Sequence, residues 1–99
     1  MTYTLENLEN SYLRAGEDVL FQVVDDEVVL LNLDSGEYFG LNEVGARIWV
    51  LSSKGRSLGS ILKDILERYE VEAEDLIRDV MTFLHQLEEE GLVSIVQED

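Results

Sequence analysis

The fold is decided by residues 19–41, VLFQVVDDEVVLLNLDSGEYFGL, where two apolar runs lie on either side of a short acidic turn. The runs Val19–Val24 and Val28–Leu33 are rich in β-branched and aromatic side chains, which are typical of strands. Because so short a connection joins them, we expect an antiparallel hairpin rather than a crossover. A further turn at Gly36 leads into a third short strand, Glu37–Leu41. These residues predict a three-stranded antiparallel β-meander whose first and third strands are both edges.

Three helices are predicted after the meander. The first runs from Asn42, a good N-cap, to about Leu51. The second follows a cap at Ser57, and its apolar residues recur at positions 58, 61, 62, 65, 66 and 69, the spacing of an amphipathic helix. The third runs from about Glu72 to Glu90 and ends before Gly91.

The chain therefore reads as one domain of the α+β class, a three-stranded meander followed by three helices. We place this domain at residues 18–96, after a polar lead-in over residues 1–17. Leu92–Val96 is expected to form a short closing strand or a tail.

Composition excludes several classes of protein. The 99 residues carry 7 basic and 22 acidic side chains, a net charge of −15, and no basic patch that could hold nucleic acid through its phosphates. The 45% hydrophobic content is too high for a disordered acidic tail. No signal peptide is recognisable, and no segment approaches the about 18 apolar residues of a membrane span. We expect a soluble cytoplasmic protein with neither a nucleic-acid nor a membrane partner.

Most ingredients of catalysis are missing. The chain has no cysteine, and His85 is its only histidine, best read as a surface residue. The acidic run Asp25-Asp26-Glu27 lacks the ligand spacing of a calcium loop and is read as a turn. We therefore expect no enzyme activity, no metal and no cofactor.

The third predicted helix carries more apolar surface than one stripe requires. Leu76, Val80, Phe83 and Leu87 form an ordinary core stripe at helical spacing. On one flank of that stripe lie Ile77, Met81 and Leu84, with Glu88 beside them. This flank either packs under the meander or the first helix, or forms the wall of an open groove that accepts a peptide.

The third strand supports the groove interpretation. An edge strand has unpaired N–H and C=O groups, which can pair with an extended peptide as an added strand. Alternation makes Tyr38 and Phe39 face opposite ways, so one of the two is expected in the core.

The sequence resembles the PqqD-like family. The likeness rests on residues 26–49, DEVVLLNLDSGEYFGLNEVGARIW, and on residues 83–93, FLHQLEEEGLV. Its most specific part is the Leu-Asn-x-x-Gly-x-x-Ile-Trp motif at residues 41–49. The chain lacks the proline-glutamate step and the Cys-Asp-Gly of the founding proteins of pyrroloquinoline quinone synthesis. It is more similar to the stand-alone proteins of lasso-peptide clusters, which work with a separate leader peptidase and a cyclase.

The resemblance implies a small winged-helix-like domain that binds the leader segment of a ribosomally made precursor peptide. The leader would add beside strand three and lie against helix three, for delivery to a leader peptidase or another modifying enzyme. The resemblance agrees with the open edge of strand three and the apolar flank of helix three. Together they give the candidate peptide-binding residues Tyr38, Phe39, Leu41, Ile77, Met81, Leu84 and Glu88.

Two other classes of function are alternatives to peptide binding. A winged-helix DNA-binding regulator fits the outline of three helices and a small sheet. However, residues 72–90 carry Arg78 as their only full cation against seven carboxylates, namely Glu72, Glu74, Asp75, Asp79, Glu88, Glu89 and Glu90. An enzyme subunit with its own chemistry lacks the necessary nucleophiles and ligands.

Overall fold

The computed structural model describes residues 6–98. Its elements in chain order are β1 (Ser11–Ala15), β2 (Val19–Val24), β3 (Glu27–Asn32), β4 (Tyr38–Leu41), α1 (Glu43–Ser53), α2 (Leu58–Arg68), α3 (Ala73–Glu89) and β5 (Val93–Gln97). Of the helices within residues 6–98, none is long and apolar enough to cross a membrane.

The predicted α+β class and the meander followed by three helices are confirmed. β2, β3 and β4 form an antiparallel sheet in that order, so β2 and β4 are its edges. Two local caps fix the helix starts, because the Asn42 side chain accepts the Gly45 N–H at 3.0 Å and Ser57 accepts the Ser60 N–H at 3.2 Å. The resemblance to a winged helix is not confirmed.

A second sheet joins the two ends of the chain. β1 pairs with β5 in antiparallel register, with Leu13 opposite Ile95. β1 lies inside the range 1–17 that was predicted as a polar lead-in, and Leu8 and Leu13 from that range are buried in the core. The predicted boundary at residue 18 is thus too late, because the lead-in supplies a strand and core side chains. Residues 1–5 of that lead-in lie outside the described range.

The two faces of the meander have different environments. Val28 and Leu30 on β3 are fully buried and face the helices. In register with them, Phe39 and Leu41 on β4 lie on the same inner face. Tyr38 therefore lies on the outer face, which answers the question that alternation left open: Phe39 packs against the core and Tyr38 does not.

Asn32 ties the meander to the end of α3. Its side-chain N–H donates to the carbonyl oxygen of Glu90 at 3.1 Å, and its carboxamide oxygen accepts the backbone N–H of Asp34 at 2.9 Å and of Ser35 at 3.3 Å. A buried amide that satisfies three hydrogen bonds holds the β3–β4 turn in place. The position of β4, which borders the site described next, depends on that turn.

Candidate functional site

A cleft of about 420 Å³ lies between the end of β4, the first turns of α1 and one side of α3. Most of its lining is apolar, and the lining residues are Gly40, Leu41, Asn42, Val44, Gly45, Ile48, Leu76, Asp79, Val80 and Phe83. A concave apolar surface with few polar groups is typical of a binding site.

The free edge of β4 borders this cleft. Among residues 6–98, β4 has a strand neighbour on one side only. The backbone N–H of Asn32 donates to the backbone carbonyl of Glu37 at 2.9 Å, on the β4 side. The backbone N–H of Leu33 donates to the backbone carbonyl of Asp18 at 2.8 Å, on the β2 side. Since these directions alternate along a strand, Phe39 and Leu41 bond to β3. The N–H and C=O groups of Tyr38 and Gly40 therefore point to the open edge.

Gly45 lets the Phe83 side chain of α3 approach the start of α1 closely at the cleft. A Cβ atom built on Gly45 would lie 3.2 Å from Phe83 Cζ and 3.4 Å from Leu41 Cβ. Any larger residue would push the Phe83 ring, so the glycine sets the position of that ring in the cleft wall.

Asp79 is the one charged residue among those that line the cleft. It is exposed on α3, and Arg78 Nε lies 3.6 Å from its carboxylate. The same arginine also reaches Asp75 at 3.2 Å. Because Arg78 is shared between Asp75 and Asp79, this part of the α3 surface has a net negative charge, which favours a ligand with some positive charge.

The structure brings only part of the predicted site together. Leu41 is in the cleft lining, and the Tyr38 backbone lies on the open edge that borders it. The Phe39 side chain is half-buried against the core, and Glu88 is near the C-terminal end of α3 with its carboxylate 3.8 Å from His85 Nε2. Neither Phe39 nor Glu88 lines the cleft.

The predicted placement of Ile77, Met81 and Leu84 on an open groove is corrected by the structure. Their side chains are 8%, 4% and 0% exposed, and none of them lines the cleft. The cleft instead uses the other side of the same helix, with Leu76, Val80 and Phe83. Periodicity located the apolar arc of α3, but the side of the arc that meets the sheet depends on how the helix docks, which periodicity does not encode.

The residues missed by sequence reasoning come from α1 and its cap. Asn42, Gly45 and Ile48 all line the cleft together with Leu41. These four are the defined positions of the Leu-Asn-x-x-Gly-x-x-Ile-Trp motif, apart from its tryptophan. Because positions 45 and 48 are three residues apart, they lie on one side of α1, which begins directly after Leu41 and the Asn42 cap. That spacing was the signal that would have found them.

A polar cluster at the α1–α2 contact braces the helix that carries the motif. Arg47 donates to both carboxylate oxygens of Asp64, at 2.5 Å and 3.1 Å, and Arg68 donates to the same group at 3.1 Å. These hydrogen bonds, with Arg47 the main contributor, lower the pKa of Asp64 to about 2. On the same side, the Tyr69 hydroxyl donates to Glu43, which raises the pKa of Tyr69. The arrangement is structural, since it pins α1 to α2.

Within the described part of the chain, no group of three or more His, Cys, Asp or Glu side chains is placed to hold a metal ion. Among residues 6–98, the site offers a ligand the edge of β4 that has no neighbouring strand, beside an apolar cleft.

A small α+β domain that presents an open strand edge beside a helix cleft has the form of a peptide-binding module. Residues 27–93 match the family described as coenzyme PQQ synthesis protein D (PqqD), which is more than half of the chain. The chain belongs to the PqqD family, as the resemblance predicted.

Two solved structures are similar over nearly the whole domain. The first, TbiB1 in complex with the TbiA(β) leader peptide, is 38% identical with a TM-score of 0.78, over 82% of this chain and 94% of that chain. The second, lasso peptide synthetase B1 complexed with the leader peptide, is 30% identical with a TM-score of 0.76, over 83% of this chain and 96% of that chain. No curated protein matches the chain in sequence.

Proposed function

We propose that this protein is a non-catalytic receptor for the leader segment of a ribosomally made precursor peptide, in lasso-peptide biosynthesis. The observation that carries the proposal is the free edge of β4 beside the apolar cleft. Support also comes from the two similar structures, each of which is a complex with a leader peptide.

The leader adds to the sheet as a fourth strand. It pairs with the outward N–H and C=O groups of Tyr38 and Gly40, which provides affinity without regard to sequence. Every second side chain of the added strand then enters the cleft. The apolar lining selects a leader with aliphatic or aromatic residues at alternating positions, and the net charge of −15 steers basic flanking residues toward the receptor.

The bound leader presents the rest of the precursor to a separate leader peptidase or another modifying enzyme. The receptor performs none of the chemistry in this scheme. Its contribution is to raise the effective concentration of the precursor at the enzyme.

A DNA-binding role is not favoured. A helix that enters the major groove must approach phosphates, and the exposed surface of α3 is dominated by carboxylates with Arg78 as its only full cation. The comparisons give that alternative no support.

Calorimetry with a synthetic leader peptide of the cognate precursor tests the proposal. We expect a dissociation constant between nanomolar and micromolar, and weak or no binding of the core segment of the same precursor. No leader binding at a hundredfold the micromolar limit would contradict the proposal.

Gly40 allows the strand-addition step to be tested by itself. Proline at this position removes an N–H that points away from β3, so the sheet loses no internal hydrogen bond, but the leader loses a donor and meets the ring. We expect Gly40→Pro to weaken leader binding at least tenfold. Gly40→Ala is the matched control, because a Cβ there meets no atom within 4 Å and the N–H is kept. Equal binding by Gly40→Pro and the parent would exclude addition at β4.

A further inference from the structure

The outer face of the meander is an exposed apolar surface. Leu20 on β2, Leu31 on β3 and Tyr38 on β4 form one row across the three strands, according to the strand register. Leu20 is 56% exposed and Tyr38 71%. The next row holds Gln22, Val29 and Gly40; Val29 is half-buried there beside the glycine, Gln22 is its one polar side chain, and Val24 at the end of β2 is 47% exposed.

The helices do not cover this surface. They pack on the opposite face of the sheet, where Val28 and Leu30 are fully buried. Among residues 6–98, the outer side chains of β2 and β4 consequently stay exposed. A contiguous exposed apolar patch on a small protein marks an interaction site more often than chance.

The strands and turns that carry this patch are acidic. The segment 16–42, which contains the whole meander, has no lysine, arginine or histidine. Its acidic residues are Glu17, Asp18, Asp25, Asp26, Glu27, Asp34 and Glu37. Glu27 is in register with Val24 and lies on the outer face itself.

We propose that the outer face of the meander docks a partner protein whose contact surface is apolar at its centre and rimmed by lysine and arginine. The inference rests on the proposed function, since the partner is the enzyme that receives the leader. Charge complementarity selects this occupant. A second copy of the chain would set carboxylates against carboxylates, and an anionic lipid surface would be repelled in the same way.

The two binding surfaces are compatible because they lie on different sides of the sheet. The cleft opens beside Leu41 on the inner face, whereas the Tyr38 side chain lies on the outer face. The receptor thus holds a leader and an enzyme at the same time, as delivery requires.

The test compares two substitutions that are matched in residue type, exposure and charge change. Val24→Lys places a cation on the outer face, and Val71→Lys does so before α3, where the valine is 46% exposed. Leu20→Lys serves as a second variant on the outer face. The probes are the purified leader peptidase and cyclase of the lasso-peptide pathway that the proposed function implies, with binding measured by surface plasmon resonance at 50 mM and 500 mM NaCl.

We expect Val24→Lys and Leu20→Lys to weaken binding of one of these enzymes at least tenfold, while leader binding stays within threefold of the parent. Val71→Lys should change neither, and the higher salt should weaken the parent complex by screening the rim charges. Binding of neither enzyme by the parent, or equal effects at positions 24 and 71, would overturn the inference. A dimer of the parent in sedimentation that Val24→Lys dissociates, or binding to anionic vesicles, would assign the face to another occupant. Failure of the parent to bind leader would overturn the proposed function instead.

Discussion

Two adjacent residues on α3 allow the contribution of the cleft to be measured separately from that of the core. Phe83 lines the cleft, whereas Leu84 is fully buried and lines none of it. Phe83→Ala and Leu84→Ala are therefore expected to have opposite profiles. The first should chiefly reduce leader binding, and the second should chiefly reduce the free energy of unfolding.

The magnitudes follow from burial. Replacing a fully buried leucine by alanine costs about 3–5 kcal/mol, because methyl groups are lost and a cavity remains. In a protein of this size each kcal/mol lowers the melting temperature by about 4–8 °C, so Leu84→Ala should melt at least about 12 °C below the parent. Phe83 is partly exposed, so Phe83→Ala should cost less stability, but loss of an aromatic contact at the peptide should weaken binding about ten- to a hundredfold.

Thermal melts and leader-binding isotherms on the same samples measure both effects. Leu84→Met, which conserves volume, should fold close to the parent and bind leader normally, and it keeps the comparison informative if Leu84→Ala does not fold. The reasoning would be refuted if Phe83→Ala bound leader within twofold of the parent. It would also be refuted if a folded Leu84 variant lost binding as severely as Phe83→Ala.

Three further predictions follow from single contacts. Gly45→Ala should leave the melting temperature nearly unchanged, since alanine favours the helix while its Cβ must displace the Phe83 ring, yet calorimetry should show weaker leader binding. Asp64 has its pKa lowered from 3.8 to about 2, so it stabilises the fold above about pH 4 by up to about 2 kcal/mol and loses that effect as the pH falls toward 2. Asp64→Asn should flatten the loss of stability between pH 4 and 2 in urea unfolding; an unchanged pH profile would contradict this. Asn32→Ala should cost about 2–3 kcal/mol in the same assay, because it leaves the Glu90 carbonyl and two turn N–H groups without their partner.

Local signals predicted the elements that local interactions form. The meander follows from two apolar runs and two turns, and the helices follow from caps at Asn42 and Ser57 and from regular apolar spacing. The β1–β5 sheet escaped prediction because its strands are paired across nearly the whole chain, and β1 by itself is the short mixed sequence SYLRA. Pairing over such a separation is decided by the packed core, which burial of Leu8 and Leu13 completes.

The site was predicted less completely than the fold for a related reason. Tyr38 and Leu41 are predicted from the position of β4 at the edge of the sheet, which depends only on the order of the strands. The choice between the two sides of α3 depends on the docking direction of a helix that is apolar over a wide arc, and both sides are in fact largely buried. The cleft is lined by the side of that arc that carries Leu76, Val80 and Phe83.

The motif at residues 41–49 explains why fold and binding are difficult to separate in this domain. Leu41 ends the strand that offers its edge, and Asn42 caps the helix that begins at the next residue. Gly45, one turn later, allows the close contact with Phe83 that shapes the cleft. The same short segment thus ends β4, starts α1 and lines the cleft. A shift in the strand end, the helix start or the cleft wall therefore shifts the other two. A substitution in this motif is therefore expected to alter leader binding even when the protein stays folded, which is why Gly45→Ala, with its small effect on stability, is its most informative probe.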